Sequence, residues 1–287
     1  MNLYTIETGL FKLDGGAMFG VVPKSLWNKI NPADEANLCT WSMRCLLVQD
    51  GKRLILIDNG IGNKQDDKFF GHYHLHGDDT LDKSLKQKGF TRDDITDVFL
   101  THLHFDHCGG SIMRDGEKLV PAFKNATYWS NAQHWDWATA PNDREKASFL
   151  KENILPIRES RQLKFIDTPT GPNEQLPSVP FTDAISVRFV SGHTESMMLP
   201  QIKYKGKTIV YMADLLPSAG HIPLPYVMAY DMFPLTTLKE KKTFLEEAVQ
   251  NDYILYFEHD AQHVCCNLKQ TDRGIRPDQY FTLEEIG

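Results

Sequence analysis

The run from Thr101 to Gly110, THLHFDHCGG, places three histidines and one carboxylate within six residues. Directly before it, Asp97-Val98-Phe99-Leu100-Thr101 is short, apolar and β-branched, and reads as a buried strand. His102 and His104 stand two apart, so on extended backbone both imidazoles leave the same side. Asp106 and His107 follow where the chain must turn, which lets them address a second, nearby point. Leu103 and Phe105 face the other way and anchor the loop to a core. Ligand-type side chains at this density repel one another, or lie buried without partners, unless a cation lies among them. A solvated polar loop is the competing reading, and the crowding of imidazoles weighs against it. The fold has to deliver a strand end to a metal site.

Three further strand ends repeat the pattern. Ile185 to Val190 runs into Ser191-Gly192-His193-Thr194, Thr208 to Ala213 into Asp214, and Tyr253 to Phe257 into Glu258-His259-Asp260. Each apolar strand ends on a potential ligand, so a sheet could bring all of them to one edge. Any one alone reads as a loop residue; with the cluster they supply a complete site. By contrast, His72-Tyr73-His74-Leu75-His76 alternates with no strand ahead of it and no carboxylate behind, and reads as a polar loop. His134 has no partner in sequence and reads as structural, and Cys108 as a packed small residue.

Elsewhere, Ser42 to Val48 and Arg53 to Ile57 form a strand pair around Asp50-Gly51, a good hairpin signal. The second strand ends in Asp58-Asn59-Gly60-Ile61-Gly62, where Asp58 is expected to orient a ligand without binding metal itself. Thr80 to Lys88 reads as an amphipathic helix ending at Gly89, with Leu81 and Leu85 on one face. Ala126 to Trp129 reads as a strand, Asp143 to Ile157 as a helix of mixed charge, and residues 167–180 as an exposed connection. Residues 1–20 read as short strands around turn glycines. Within them Asp14 to Gly20 has two readings of equal weight: a hairpin turn packing Met18 and Phe19 inward, or a loop laying them over a pocket.

With 287 residues, 41% hydrophobic and 24% charged, the chain has the make-up of an ordinary globular enzyme. A formal net charge of -7 argues against a nucleic-acid partner. No basic, apolar leader opens the sequence, and no apolar run approaches the roughly 20 residues of a membrane helix. Five cysteines in no zinc-finger spacing suggest reduced thiols and a cytoplasmic location.

The residues now in hand carry a resemblance. His102-x-His104-x-Asp106-His107, Gly192-His193-Thr194, Asp214 and His259 stand in the order of the metallo-β-lactamase superfamily, which the chain resembles over nearly its whole length. That resemblance implies an α/β (α+β) fold, a four-layer αββα sandwich, formed here by a single domain over residues 1–287. It assigns His102, His104 and His193 to a first metal, Asp106, His107 and His259 to a second, and Asp214 as the bridge. Two divalent ions are implied, Zn²⁺ first, with Fe²⁺, Mn²⁺ or Co²⁺ compatible with the mixed imidazole and carboxylate donors. Asp214 stands where true β-lactamases often place a cysteine, which points away from antibiotic hydrolysis.

Within the superfamily, Asp14 to Lys24, Asp58 to Gly62 and Ala213 to Pro217 resemble the branch of quorum-quenching N-acyl-homoserine lactonases and methyl-parathion-type hydrolases. The resemblance implies that a water activated between the ions opens a small-molecule ester or lactone, with Asp106 and Asp214 as catalytic carboxylates and Asp106 carrying the proton to the leaving group. Several lactonases of this branch have a tyrosine three residues after the bridging aspartate, to polarise the carbonyl. Here that position is Pro217, so either another group takes the role, with His221 and Tyr226 the nearest candidates, or the metal alone does it. Met18, Phe19, Phe69 and Phe70 are candidates for an apolar wall around an acyl tail, with core packing the competing account of each. A phosphotriester hydrolase and a glyoxalase-II-like thioesterase are the alternatives, and a homodimer is compatible with all three.

Overall fold

The structure, a computed structural model, describes residues 1–169 and 178–286. In chain order its elements are β1 (Asn2–Asp14), α1 (Gly15–Phe19), α2 (Lys24–Trp27), β2 (Leu38–Asp50), β3 (Arg53–Ile57), α3 (Asp67–Tyr73), α4 (Leu81–Gln87) and β4 (Asp97–Phe99). There follow α5 (Phe105–Cys108), β5 (Ile112–Asp115), β6 (Lys118–Pro121), β7 (Thr127–Ser130), α6 (Ala132–Thr139), α7 (Lys151–Glu159), β8 (Leu163–Phe165) and β9 (Ser178–Pro180). The last are β10 (Ile185–Val190), β11 (Met197–Tyr204), β12 (Lys207–Tyr211), α8 (Pro234–Gln250), β13 (Ile254–Tyr256), β14 (Cys265–Thr271) and β15 (Gly274–Phe281). This is a mixed α/β fold. Its contacts form two compact units, Met1–Leu10 with Met43–Thr168, and Phe11–Ser42 with Pro169–Gly287.

In the first unit the sheet order is β1-β2-β3-β4-β7-β8. The hairpin read around Asp50-Gly51 is present, with Asp50 opposite Arg53. From β3 onward the strands run parallel: Ile57 pairs with Phe99, Phe99 with Trp129, and Ser130 with Phe165. Parallel strands send their carboxyl ends to one edge, where open α/β sheets place their sites. Asp58, Thr101 and Asn131 therefore leave the sheet on the same side. Beneath them Leu47, Leu56, Val98 and Tyr128 pack with Leu81 and Leu85 of α4 and Ile154 and Ile157 of α7. Thr80 caps α4, its hydroxyl accepting the Lys83 N–H, and Gly89 follows the helix at φ +86°. That positive φ suits a residue without a Cβ.

In the second unit the order is β15-β14-β13-β12-β11-β10-β9. β10 and β12 are both antiparallel to β11, and β12 is parallel to β13. β10, β12 and β13 therefore share one direction, and His193, Asp214 and His259 follow their carboxyl ends. α8 buries Thr237, Glu240, Lys241, Phe244, Leu245 and Ala248, a helical stripe that includes two charged side chains.

Several expectations need correction. Residues 2–14 make one continuous strand and not several short ones. Asp14 to Gly20 is neither a hairpin nor an open loop. It is the helical turn α1, capped by the Asp14 carboxylate on the Ala17 N–H, with Met18 and Phe19 buried. Asp143 to Ile157 is not one helix, because residues 143–148 turn and α7 begins only at Lys151. The connection read over 167–180 falls mostly on residues 170–177, outside the described residues. No described helix is long and apolar enough to cross a membrane.

Candidate metal centre

In the first unit everything turns on Asp58. Its Oδ1 accepts the Thr101 N–H at 2.8 Å, and its Oδ2 accepts the Thr101 hydroxyl at 2.6 Å and His107 Nδ1 at 3.1 Å. Asp58 holds φ at +55°, an uncommon conformation for a residue with a Cβ. Its carboxylate thus ties the β3 end to the β4 end and orients one imidazole, the role expected of it.

The histidines follow a common rule. The Thr101 hydroxyl spends its proton on Asp58, so it accepts from His102 Nδ1 at 3.1 Å. His104 Nε2 faces Glu145 Oε1 at 2.9 Å, and Glu145 Oε2 also accepts the Trp137 indole N–H at 2.6 Å. With these acceptors assigning the tautomers, His102 Nε2, His104 Nδ1 and His107 Nε2 carry lone pairs. Two of those atoms, His102 Nε2 and His104 Nδ1, lie 3.1 Å apart. Facing lone pairs repel, and a cation they can share removes the conflict. The Asp106 carboxylate adds an oxygen 3.7 Å from His107 Nε2. His134 is structural, as read, and its Nε2 accepts the Leu103 N–H at 2.9 Å, which steadies the motif's backbone.

The second unit repeats the logic. His193 Nδ1 is held by Asp231 Oδ1 at 2.9 Å, and His259 Nδ1 by the Ser42 carbonyl at 2.7 Å. Their Nε2 atoms meet opposite oxygens of Asp214, at 3.0 Å for His193 and 3.2 Å for His259. One carboxylate reaching two imidazoles with separate oxygens is disposed to bridge. Burial opposes a charge at His193, yet the Asp214 and Asp231 carboxylates outweigh it and push the imidazole up to about 10. The surroundings favour a positive charge at that point. Imidazole nitrogens and carboxylate oxygens, each imidazole's far side held by an acceptor, are the donor set of Zn²⁺ and similar divalent ions. The chemistry of the residues present fits a divalent metal ion.

The expected pocket residues fare differently. Phe19 stacks on His221 at 4.6 Å and 4° and on Trp27 at 5.4 Å, a core arrangement. His221 is itself buried: Ser218 Oγ lies 2.8 Å from Nδ1 and the Met18 carbonyl 2.9 Å from Nε2. Burial pushes the imidazole down to about 3, so it is neutral with both nitrogens engaged. Both ring nitrogens of His221 are thus taken up within the fold, and Met18 and Phe19 are buried with it. Phe69 and Phe70 are half-buried on α3, and Phe69 meets Phe105, next to His104, edge-on at 5.4 Å. His72, His74 and His76 belong to none of the candidate metal groups among the described residues, but the segment is not the polar loop expected: His72 and Tyr73 end helix α3, His74 caps it, and His76 bridges to Leu10. Glu145 and Asp231 were not foreseen. Each lies far along the chain from the imidazole it holds, and no local pattern marks it.

Residues 44–259 match the model of the metallo-beta-lactamase superfamily. The chain belongs to that superfamily. Among curated members, the N-acyl homoserine lactonase AiiA of Bacillus thuringiensis subsp. kurstaki is 28% identical over 275 residues, covering 91% of this chain and 94% of that protein. Among solved structures, a probable metal-dependent hydrolase from Staphylococcus aureus superposes with TM-score 0.87 at 28% identity, over 100% of this chain and 98% of its own. AidC, a dizinc quorum-quenching lactonase solved with its product, superposes with TM-score 0.76 at 21% identity, over 98% and 95% of the two chains, a likeness of fold.

Proposed function

We propose that this superfamily member is a single-domain binuclear metal hydrolase that opens lactone esters such as N-acyl homoserine lactones. The observation that carries this reading is the close approach of His102 Nε2 to His104 Nδ1 and the convergence of His193 and His259 Nε2 on Asp214, with each ring's far nitrogen held by an acceptor. His102, His104 and His193 would hold one ion, Asp106, His107 and His259 the other, with Asp214 shared. Two such ions, when bound, supply a Lewis acid for the carbonyl and a water acidic near pH 7, down from 15.7 in bulk. The family match, over residues 44–259, includes residues of both units, which supports the reading of one domain. The lactonase substrate rests on the curated relatives, which span nine-tenths of the chain.

The chain's own residues have distinct tasks. Asp58, Glu145, Asp231 and the Ser42 carbonyl orient the rings, so that the candidate ligand nitrogens already face inward before an ion is bound. Asp106 would hold metal and pass the proton taken from the attacking water to the alkoxide released as the acyl C–O bond breaks. With His221 engaged elsewhere, the half-buried Tyr226 is the remaining hydroxyl candidate for polarising the lactone carbonyl in place of the residue at Pro217. Five buried free thiols suit a reducing, cytoplasmic setting.

The test is elemental analysis of the purified protein, followed by rates on acyl homoserine lactones, aryl phosphotriesters, thioesters and β-lactams. Two divalent ions per chain and a preference for lactones are expected. A preference for phosphotriesters or thioesters would overturn the substrate. A chain that takes up no divalent ion would overturn the whole reading.

A further inference from the structure

One more buried carboxylate reaches the turn that carries His193. Glu240 of α8 accepts the Ser191 N–H on Oε1 at 2.7 Å and the Gly192 N–H on Oε2 at 3.0 Å. The carbonyls of the same turn are held from the segment ahead of α8. Met232 N–H donates to His193 O at 3.0 Å, and Phe233 N–H to Gly192 O at 2.8 Å. The turn also lies hard against the helix, since a Cβ on Gly192 would sit 2.3 Å from the Thr237 backbone nitrogen.

Glu240 is only 7% exposed. Burying a carboxylate is costly, and two backbone N–H groups do not require a full charge to be satisfied. What a carboxylate adds over an amide is two equivalent acceptors in one plane, which fix two successive peptides at once. The peptides it fixes are the two before His193.

We propose that Glu240 is a positioning residue for the metal centre: by fixing the Ser191 and Gly192 peptides it sets the direction of His193 Nε2. This rests on the reading of His193 as a metal ligand. Asp231 orients the ring about its own bonds, and Glu240 orients the backbone from which the ring departs. The neighbouring Lys241 serves as an internal contrast. It is equally buried on the same helix, but its ammonium grips the Pro223, Leu224 and Tyr226 carbonyls at 3.3, 3.3 and 2.7 Å.

The experiment uses the full chain and three variants, Glu240→Gln, Glu240→Asp and Lys241→Met. It reads Zn²⁺ affinity by competition with a chromophoric chelator, the visible absorption of the Co²⁺-loaded protein, and Tm. Glu240→Gln, which turns an N–H donor toward one peptide N–H, is expected to weaken Zn²⁺ binding about 10- to 100-fold and to shift the Co²⁺ bands. Glu240→Asp, which keeps the charge and loses reach, is expected to fall between it and the parent. It is read alone by the same criteria should the Gln variant not fold. Lys241→Met is expected to change Tm without moving affinity or bands. Affinities within about twofold of the parent for both Glu240 variants, with Tm lowered, would make Glu240 structural only and overturn the inference. A parent chain that binds no Zn²⁺ would overturn the inference together with the metal reading; a loaded parent with unaffected Glu240 variants overturns the inference alone.

Discussion

His102 Nε2 lies 3.1 Å from His104 Nδ1, and the hydrogen bonds on the far sides of both rings make both atoms acceptors. Two acceptors cannot bond to each other. The pair is arranged for a cation, and the predictions below follow from that arrangement and its counterpart around Asp214.

Removing a donor removes the chemistry. His104→Ala or Asp214→Ala is expected to lower lactone hydrolysis on the order of 1000-fold, about 4 kcal/mol of barrier. Elemental analysis should show less than the full metal content in each. Full activity at full stoichiometry in either variant would refute the ligand assignment.

Metal uptake depends on pH with a definite sign. In the metal-free protein His193 is pushed up to about 10, so below that pH an incoming ion displaces a proton from it. Apparent affinity therefore rises as pH rises from about 6 toward 9, by close to tenfold per unit for one displaced proton. Without metal the linkage runs the other way. The raised imidazole's contribution to stability is whole below its unfolded value and is lost as pH climbs through about 10. Chelator competition at several pH values checks the first statement, and melting of stripped protein the second. A flat affinity profile would count against His193 as a ligand.

The groups behind the imidazoles matter nearly as much as the imidazoles. Glu145→Gln and Asp231→Asn are each expected to weaken metal binding about 10- to 100-fold while leaving the fold intact. Each amide keeps the volume but offers the ring no formal charge. Unchanged affinity in both would mean that the tautomers are set elsewhere.

His221 and Tyr226 should separate cleanly. His221→Phe loses the bonds to Ser218 and the Met18 carbonyl and is expected to cost about 1–3 kcal/mol of stability, with the pH–rate profile unmoved. Tyr226→Phe is expected to leave Tm nearly unchanged and to lower kcat about 10- to 100-fold if its hydroxyl polarises the carbonyl. A large change in the pH profile of His221→Phe would restore that residue to the chemistry.

How far the sequence reaches differs from residue to residue. The strand before His102, the hairpin at Asp50-Gly51 and the cap at Thr80 follow from local rules of periodicity, turn chemistry and hydrogen bonding. So does the expectation that Asp58 orients a ligand, since a carboxylate after a buried strand has little else to bond. The turn at 143–148 was misjudged because mixed charge and helix-forming residues favour a helix there locally. A tertiary contact, Glu145 on His104, is made instead. For Phe19 and His221 the sequence leaves a pocket and a core equally open, because aromatic side chains serve both, and their stacking on each other is visible only in space.

The sequence by itself determined the superfamily and the strand ends after which the candidate donors stand, because those are written in short local motifs. Tertiary structure alone decided which acceptor holds His104, His193 and His259. Glu145, Asp231 and the Ser42 carbonyl lie about 40 to more than 200 residues from the rings they orient. A hydrogen bond depends on distance and angle in space, and nothing in the spacing along the chain records either.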